Sequence, residues 1–239
     1  MKQDISASVL IIGNEILSGK TQDVNLQFLA KAFARLGITL AEARVIRDEP
    51  EVIADVINEL RARHTYVFTT GGIGPTHDDM TAESVARAFG VELVLDEEAV
   101  RRIARGSRDV NPSRLKMAMI PEGASLIDNP VSHAPGFRMD NVFVLAGIPS
   151  IARAMFGAVE HELVGGEPIH SDSVDIYRRE GDFAAELSEI AARHLHVEIG
   201  SYPFSREGRF GASIVVRGTS TAHIEAAMTE IRASLDDDE

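Results

Sequence analysis

Apolar residues run along this chain in two rhythms. SVLIIG (8–13), YVFTT (66–70) and NVFVLAG (141–147) are continuous apolar runs, the habit of strands buried on both faces of a parallel sheet. Between them, apolar positions recur at helical spacing. Leu26, Leu29, Phe33 and Leu36 precede Gly37, and Ile53, Val56, Ile57 and Leu60 follow Pro50. Asp23 and Asp48 stand where N-caps of these two helices would. ITLAEARVI (38–46) and VELVLD (91–96) read as further strands. A helix ends at Gly90, and DEEAVRRIARG (96–106) and PSIARAMFGAVEHEL (149–163) are two more. NPVSHAPGF (129–137) is a loop punctuated by Pro and Gly. This alternation predicts an α/β domain over residues 1–168, a mostly parallel sheet with helices on both faces, in three α/β/α layers. Ligands of such sheets gather at the carboxyl ends of the strands.

After the linker-like GGEP (165–168) the order changes. SVDIYRR reads as a strand, DFAAELSEIAARH as a helix, VEIGSYPF and ASIVVRG as strands around an SREG turn, and STAHIEAAMTEIRASL as a helix. The expectation is a small α+β domain of β-α-β-β-α order over residues 169–239, its central strands an antiparallel hairpin. The final DDDE reads as a solvated tail.

Composition narrows the function. The formal net charge of −13 argues against nucleic acid and anionic membranes as partners. The chain has no cysteine, so disulfides and thiolate metal sites are excluded. No stretch approaches the roughly 20 apolar residues of a membrane span. MKQDISAS carries no apolar signal core, and a cytoplasmic protein is expected.

Three polar loops fall at strand carboxyl ends: GNEILSGKTQD (13–23), RDEP (47–50) and GGIGPTHDD (71–79). The first is not a P-loop, because five residues separate Gly13 from Gly19 where that motif needs four. The third is richer. Thr69, Thr70, Gly71, Gly72 and Gly74 offer hydroxyls and closely approachable backbone amides ahead of a helix N-terminus, a setting that favours phosphate. Asp78 and Asp79 oppose an anion. Either Asp79 or Thr81 caps the helix, or an aspartate accepts ligand N–H and O–H groups or holds a divalent cation bridged to phosphate. Lys116 near the loop would counter phosphate charge. His77 reads as a solvated loop residue, and no G-x-S-x-G nucleophile elbow occurs.

TTGGIGPTHDDMTAE, with GNEIL upstream and RDEP between, resembles the molybdopterin-binding domain family. That family includes molybdenum-cofactor biosynthesis proteins and the N-terminal half of competence/damage-inducible protein A. RLKMAMIPEGA (114–124), NPVSHAPGF and NVFVLAGIPSI (141–151) extend the likeness over residues 7–164, and EIGSYPF is similar to the small domain that follows it in the competence protein. The resemblance implies a pterin- or nucleotide-binding three-layer domain, here a stand-alone relative without the amidohydrolase half. It implies Asp48 and Asp79 as the functional, and catalytic or metal-holding, aspartates. Asn14, Glu15, Thr70, Gly71, Gly72, Gly74, Asp78, Thr81, Lys116, Pro135, Gly136 and Gly147 are the expected ligand contacts. Cofactor-biosynthesis members adenylylate molybdopterin with Mg-ATP, and other relatives are linked to metal-dependent hydrolysis of ADP-ribose or FAD. The resemblance therefore leaves three readings: a binding domain for molybdopterin or an adenine nucleotide, a pyrophosphatase using Mg²⁺ or another divalent metal, and a non-catalytic partner-binding protein. It also implies a homo-oligomer, dimer or trimer. The sequence departs from competence proteins at Ser132–His133, usually Gly-Thr, and at Ala146 and Ile151 of LAGIPSI, usually LPGxPxEM.

Overall fold

The computed structural model describes residues 5–106, 111–206 and 208–235 of the 239; DDDE and Glu207 of the SREG turn lie outside the described residues. Two compact units divide the chain, residues 1–166 and 167–239.

In the first unit the elements are β1 (Ser6–Ile12), α1 (Asn14–Leu17), α2 (Asn25–Arg35), β2 (Thr39–Ile46), α3 (Pro50–Arg63), β3 (Tyr66–Thr70), α4 (Thr81–Phe89), β4 (Leu93–Leu95), α5 (Glu97–Gly106), α6 (Pro112–Lys116), β5 (Met119–Pro121), β6 (Ser125–Ile127), β7 (Gly136–Met139), β8 (Val142–Leu145) and α7 (Pro149–Val159), closed by a 3-10 turn at Glu160–Glu162. The main sheet has the order β2-β1-β3-β8-β7-β6. β2, β1, β3 and β8 pair in parallel, and β7 and β6 run antiparallel at one edge. Alternate residues of β1 explain the continuous apolar run. Val9 and Ile11 join one core with α2 and α7 (Phe33, Met155, Phe156), while Leu10 and Ile12 join the other with α3, α4 and α5 (Ile53, Val85, Ile103). β1 lies between β2 and β3, so the chain leaves it toward opposite sides. That reversal opens a crevice at the carboxyl edge.

Several local expectations change. Glu49, not Asp48, is the N-cap of α3, with Pro50 at its first position; Asp48 turns instead to the first loop. Val24 is the N-cap residue of α2, and Asp23 reaches over it to accept the Leu26 N–H at 2.8 Å. Neither Asp79 nor Thr81 caps α4, whose N-cap is Met80. The 91–96 strand pairs with β5 in a separate two-stranded ribbon, and NPVSHAPGF ends as β7 rather than as loop throughout.

The second unit is β9 (His170–Ile176), α8 (Glu180–Arg193), β10 (Glu198–Arg206), β11 (Arg209–Gly218) and α9 (Thr221–Leu235). Its antiparallel sheet has the order β10-β11-β9. Both helices contribute to one core, where Phe183, Ile190, Met228 and Ile231 meet Ile176, Ala212, Ile214 and Val216. Among the described residues no helix is long and apolar enough to cross a membrane.

Candidate functional site

The exits of β1, β3 and β8 are tied together by backbone. Gly71 leaves β3 at φ 102°, and a Cβ there would lie 2.1 Å from the Ile12 carbonyl oxygen. Only glycine lets the chain cross the end of β1 this closely. Gly71 N–H donates to Leu145 O at 3.2 Å, so the same residue also touches β8. Thr81, at the start of α4, then fixes the loop: its N–H donates to Gly72 O at 3.0 Å and its hydroxyl to Gly71 O at 2.9 Å. Thr81 is fully buried, which assigns it to holding the loop. With those carbonyls turned to α4, the N–H groups of Gly72, Ile73 and Gly74 meet no acceptor among the described residues.

Beside this loop lies a cavity of about 750 Å³. Ile103, Met117, Ala146, Ile148, Ile151 and Met155 give it apolar walls, and Gly71 to Gly74 form part of its rim. Glu15, Asp79 and Arg114 bring charge to it. Asn129 shapes another wall. Its buried amide accepts the N–H groups of Val131 and Ser132 and donates to Ser132 Oγ (2.6 Å) and Ala134 O (2.7 Å). This holds the 129–134 turn closed, with His133 in the left-handed region at φ 65°. A second recess of about 70 Å³ shares Gly72, Ile73, Gly74 and Asp79 and adds Lys116 and Pro135.

Thr76 joins the charged groups around the loop. Its N–H (2.8 Å) and hydroxyl (2.5 Å) donate to Asp79 Oδ2, and its carbonyl accepts from Lys116 Nζ. The Thr76 side chain, its one hydroxyl proton shared with Asp79, and then Asp78's own backbone N–H hold the Asp78 carboxyl below its ordinary range, and His77 and Lys116 add to this.

Of the residues expected at the site, Glu15, Gly71, Gly72, Gly74, Asp79 and Gly147 line the large cavity, and Lys116 and Pro135 line the small one. Asp48 lines neither. Its Oδ2 accepts the Asn14 N–H at 2.8 Å and so pins the first loop to the second. Asn14 and Asp78 are exposed off the walls; Thr70 and Gly136 are buried within strands. Among the described residues no three His, Cys, Asp or Glu side chains converge to hold a metal ion. Arg114, Asn129 and most of the apolar wall were not singled out from sequence; Ala146 and Ile151 of that wall were named only as departures from the competence-protein pattern. An Asn opening a Pro-containing turn was a usable signal for Asn129; nothing local marked the rest of the wall.

Residues 8–164 match the family described as a probable molybdopterin binding domain, and residues 168–239 match the FAD synthase middle domain. A protein of Archaeoglobus fulgidus is 33% identical over 195 residues, 82% of this chain and 84% of that relative. A probable FAD synthase of Caenorhabditis elegans is 30% identical over 263 residues; the match takes in 98% of this chain but about half, 51%, of the relative's length. Among solved structures, a Thermoplasma acidophilum protein titled CinA, of unknown function, is 35% identical with a TM-score of 0.62, covering 66% of this chain and 98% of its own.

Proposed function

The chain belongs to the family of probable molybdopterin binding domains, and from that premise we propose that its first unit binds a phosphate-bearing pterin or adenine nucleotide. One observation carries the reading: a cavity of about 750 Å³ at the sheet's carboxyl edge, rimmed by three consecutive backbone N–H groups without an acceptor. The volume falls within the ~300–1,000 Å³ usual for small-molecule sites. A planar ring would lie against Met117, Ile148 and Met155. Phosphate would take the N–H groups of Gly72, Ile73 and Gly74, since such runs of amides form anion nests. Arg114 and Lys116 add positive charge nearby, while Glu15 and Asp79 accept ring or ribose donors.

A divalent cation fits this site only alongside phosphate. Asp79 keeps Oδ1 clear of the Thr76 contacts, but among the described residues no three His, Cys, Asp or Glu side chains converge. Mg²⁺ is commonly held by one or two carboxylates together with substrate phosphates. When bound it would neutralise phosphate charge; gripping and orienting the ligand are assigned to the residues above.

A second reading rests on the tandem of modules, the first followed by a match to the FAD synthase middle domain. The ligand would then be a dinucleotide such as FAD. Water would attack one phosphorus, the bridging P–O bond would break, and two monophosphates would leave. Glu15 and Asp79 are the wall carboxylates able to take the water's proton.

Thermal unfolding with ATP, FAD, ADP-ribose and molybdopterin, each with and without Mg²⁺, tests the binding reading. A true ligand at a hundred times its Kd adds about 2.7 kcal/mol of stability. Silence from all four overturns the proposal. Chromatography of the FAD and ADP-ribose samples decides the second reading by the presence or absence of monophosphate products.

A further inference from the structure

The second unit carries a cavity of its own, about 370 Å³, at the hairpin end of its sheet. Arg179 and Glu180, at the start of α8, form one side. Pro203, Phe204, Phe210 and Gly211, from β10 and β11, form the other. Phe210 is 60% exposed, and the Arg179 guanidinium carbon sits 5.9 Å from its ring centre. Gly211 leaves room for the neighbouring ring, since a Cβ there would lie 2.7 Å from Phe204 Cζ. Arg206 covers Phe204 at 4.1 Å, Arg209 covers Tyr177 at 4.3 Å, and Tyr177 meets Phe204 edge-on at 5.3 Å.

The charges here run against the rest of the unit. Residues 167–239 hold 15 acidic and 7 basic side chains, yet four of the seven arginines (178, 179, 206 and 209) cluster at this end. Arg193, Arg206 and Arg232 each pair with a carboxylate. Arg179 and Arg209 pair with none among the described residues and rest on aromatic rings. Exposed aromatic faces beside unpaired guanidiniums form a stacking platform with an anion clamp.

We propose that this cavity is a second ligand site, for a planar heteroaromatic ring carrying a single phosphate group, as in a nucleoside monophosphate. The ring stacks between Phe210 and Pro203. Glu180 accepts a ring N–H, and Arg179 pairs with the phosphate, with Arg209 adding positive potential at the rim. The acidity of the unit around this end favours a free nucleotide over a polyanionic strand.

Amide chemical shifts of the ¹⁵N-labelled full chain, titrated with AMP and with FMN, test the site separately from the first unit. Saturable shifts at Gly181, Phe210 and Gly211 are expected. Adenosine and ribose 5-phosphate, each lacking half of the ligand, should bind about tenfold more weakly. Arg179→Gln and Phe210→Ala should each weaken AMP or FMN by about tenfold, in line with the loss of one stacked or charged contact; unchanged thermal unfolding shows that these exposed positions leave the fold intact. Tighter binding of AMP or of FMN tells which ring the site takes. Shifts confined to Gly71 to Gly74, equal binding of adenosine, or tighter binding of a single-stranded hexanucleotide than of either monophosphate overturns the proposal.

Discussion

The two units use aromatic rings in opposite ways. In the first, Phe33, Phe68, Phe143 and Phe156 are almost wholly buried and pack on one another, Phe68 stacked on Phe143 at 4.7 Å. In the second, only Phe183 is buried, while Tyr177, Tyr202 and Phe210 are 46%, 56% and 60% exposed. Sheet architecture accounts for the difference. Helices cover both faces of the first sheet, so a large ring in its central strands has nowhere to go but a core. Two helices build a single core on the second sheet, and rings at its hairpin end fall outside that core. A ring in the first unit is therefore a packing element, and a ring at the hairpin end of the second is free for recognition.

Substitutions can break this contrast. Phe68→Ala should cost the most, about 3–5 kcal/mol by chemical denaturation, because it empties a site packed on three other phenylalanines. Gly71→Ala should follow at about 3 kcal/mol, since the new methyl meets the Ile12 carbonyl in a strained backbone conformation. Asp48→Ala should cost about 0.5–1.5 kcal/mol, the net worth of the exposed bond to the Asn14 N–H, which water then replaces, and calorimetry should show weaker ligand binding in the large cavity as the first loop loosens. Phe210→Ala should change stability by no more than about 0.5 kcal/mol. A cost near that of Phe68→Ala would show that Phe210 packs as a core residue, and the contrast would fail.

The smallest effect should come from acid. Arg44, through two hydrogen bonds, pulls the Glu59 carboxyl down to about 2, and Glu42 is lowered by the same guanidinium. A depressed folded-state pKa gives stability that is complete above the unfolded value, roughly 4.3, and disappears as pH falls through the folded one. Between about pH 4.3 and 2, Glu59→Gln should flatten the fall of Tm with pH; because the pair is exposed, the change is small. An unchanged slope would show that Arg44 and Glu59 do not couple in solution.

Much of the fold was legible because it rests on local rules. Strands buried on both faces print as unbroken apolar runs, as in β1, β3 and β8, and Gly37 and Gly90 mark helix ends by their left-handed backbone. β5, β6 and β7 were not legible. They are strands only because an edge or a partner pairs with them, which no local window shows. The glycine loop announced itself through composition, but composition cannot tell which hydroxyl or carboxylate faces a ligand. Thr81 looked like a cap or a contact, yet a buried hydrogen bond to Gly71 O claims it. Asp48 looked like a cap, yet an N–H from 34 residues away claims it.

The sequence by itself determined the family, the alternation that builds a three-layer sheet, and the loop whose glycines must be glycines. Those properties follow from side-chain period and from the absence of a Cβ, which each residue carries wherever it sits. Only the tertiary structure decided which loop residues face the cavity, that apolar side chains from α5, α7, the β8–α7 turn and Met117 just after α6 make its wall, and that arginines and rings distant in sequence converge on the second unit's hairpin end. Such convergence depends on strand order and helix packing, which join positions that no short window of sequence contains.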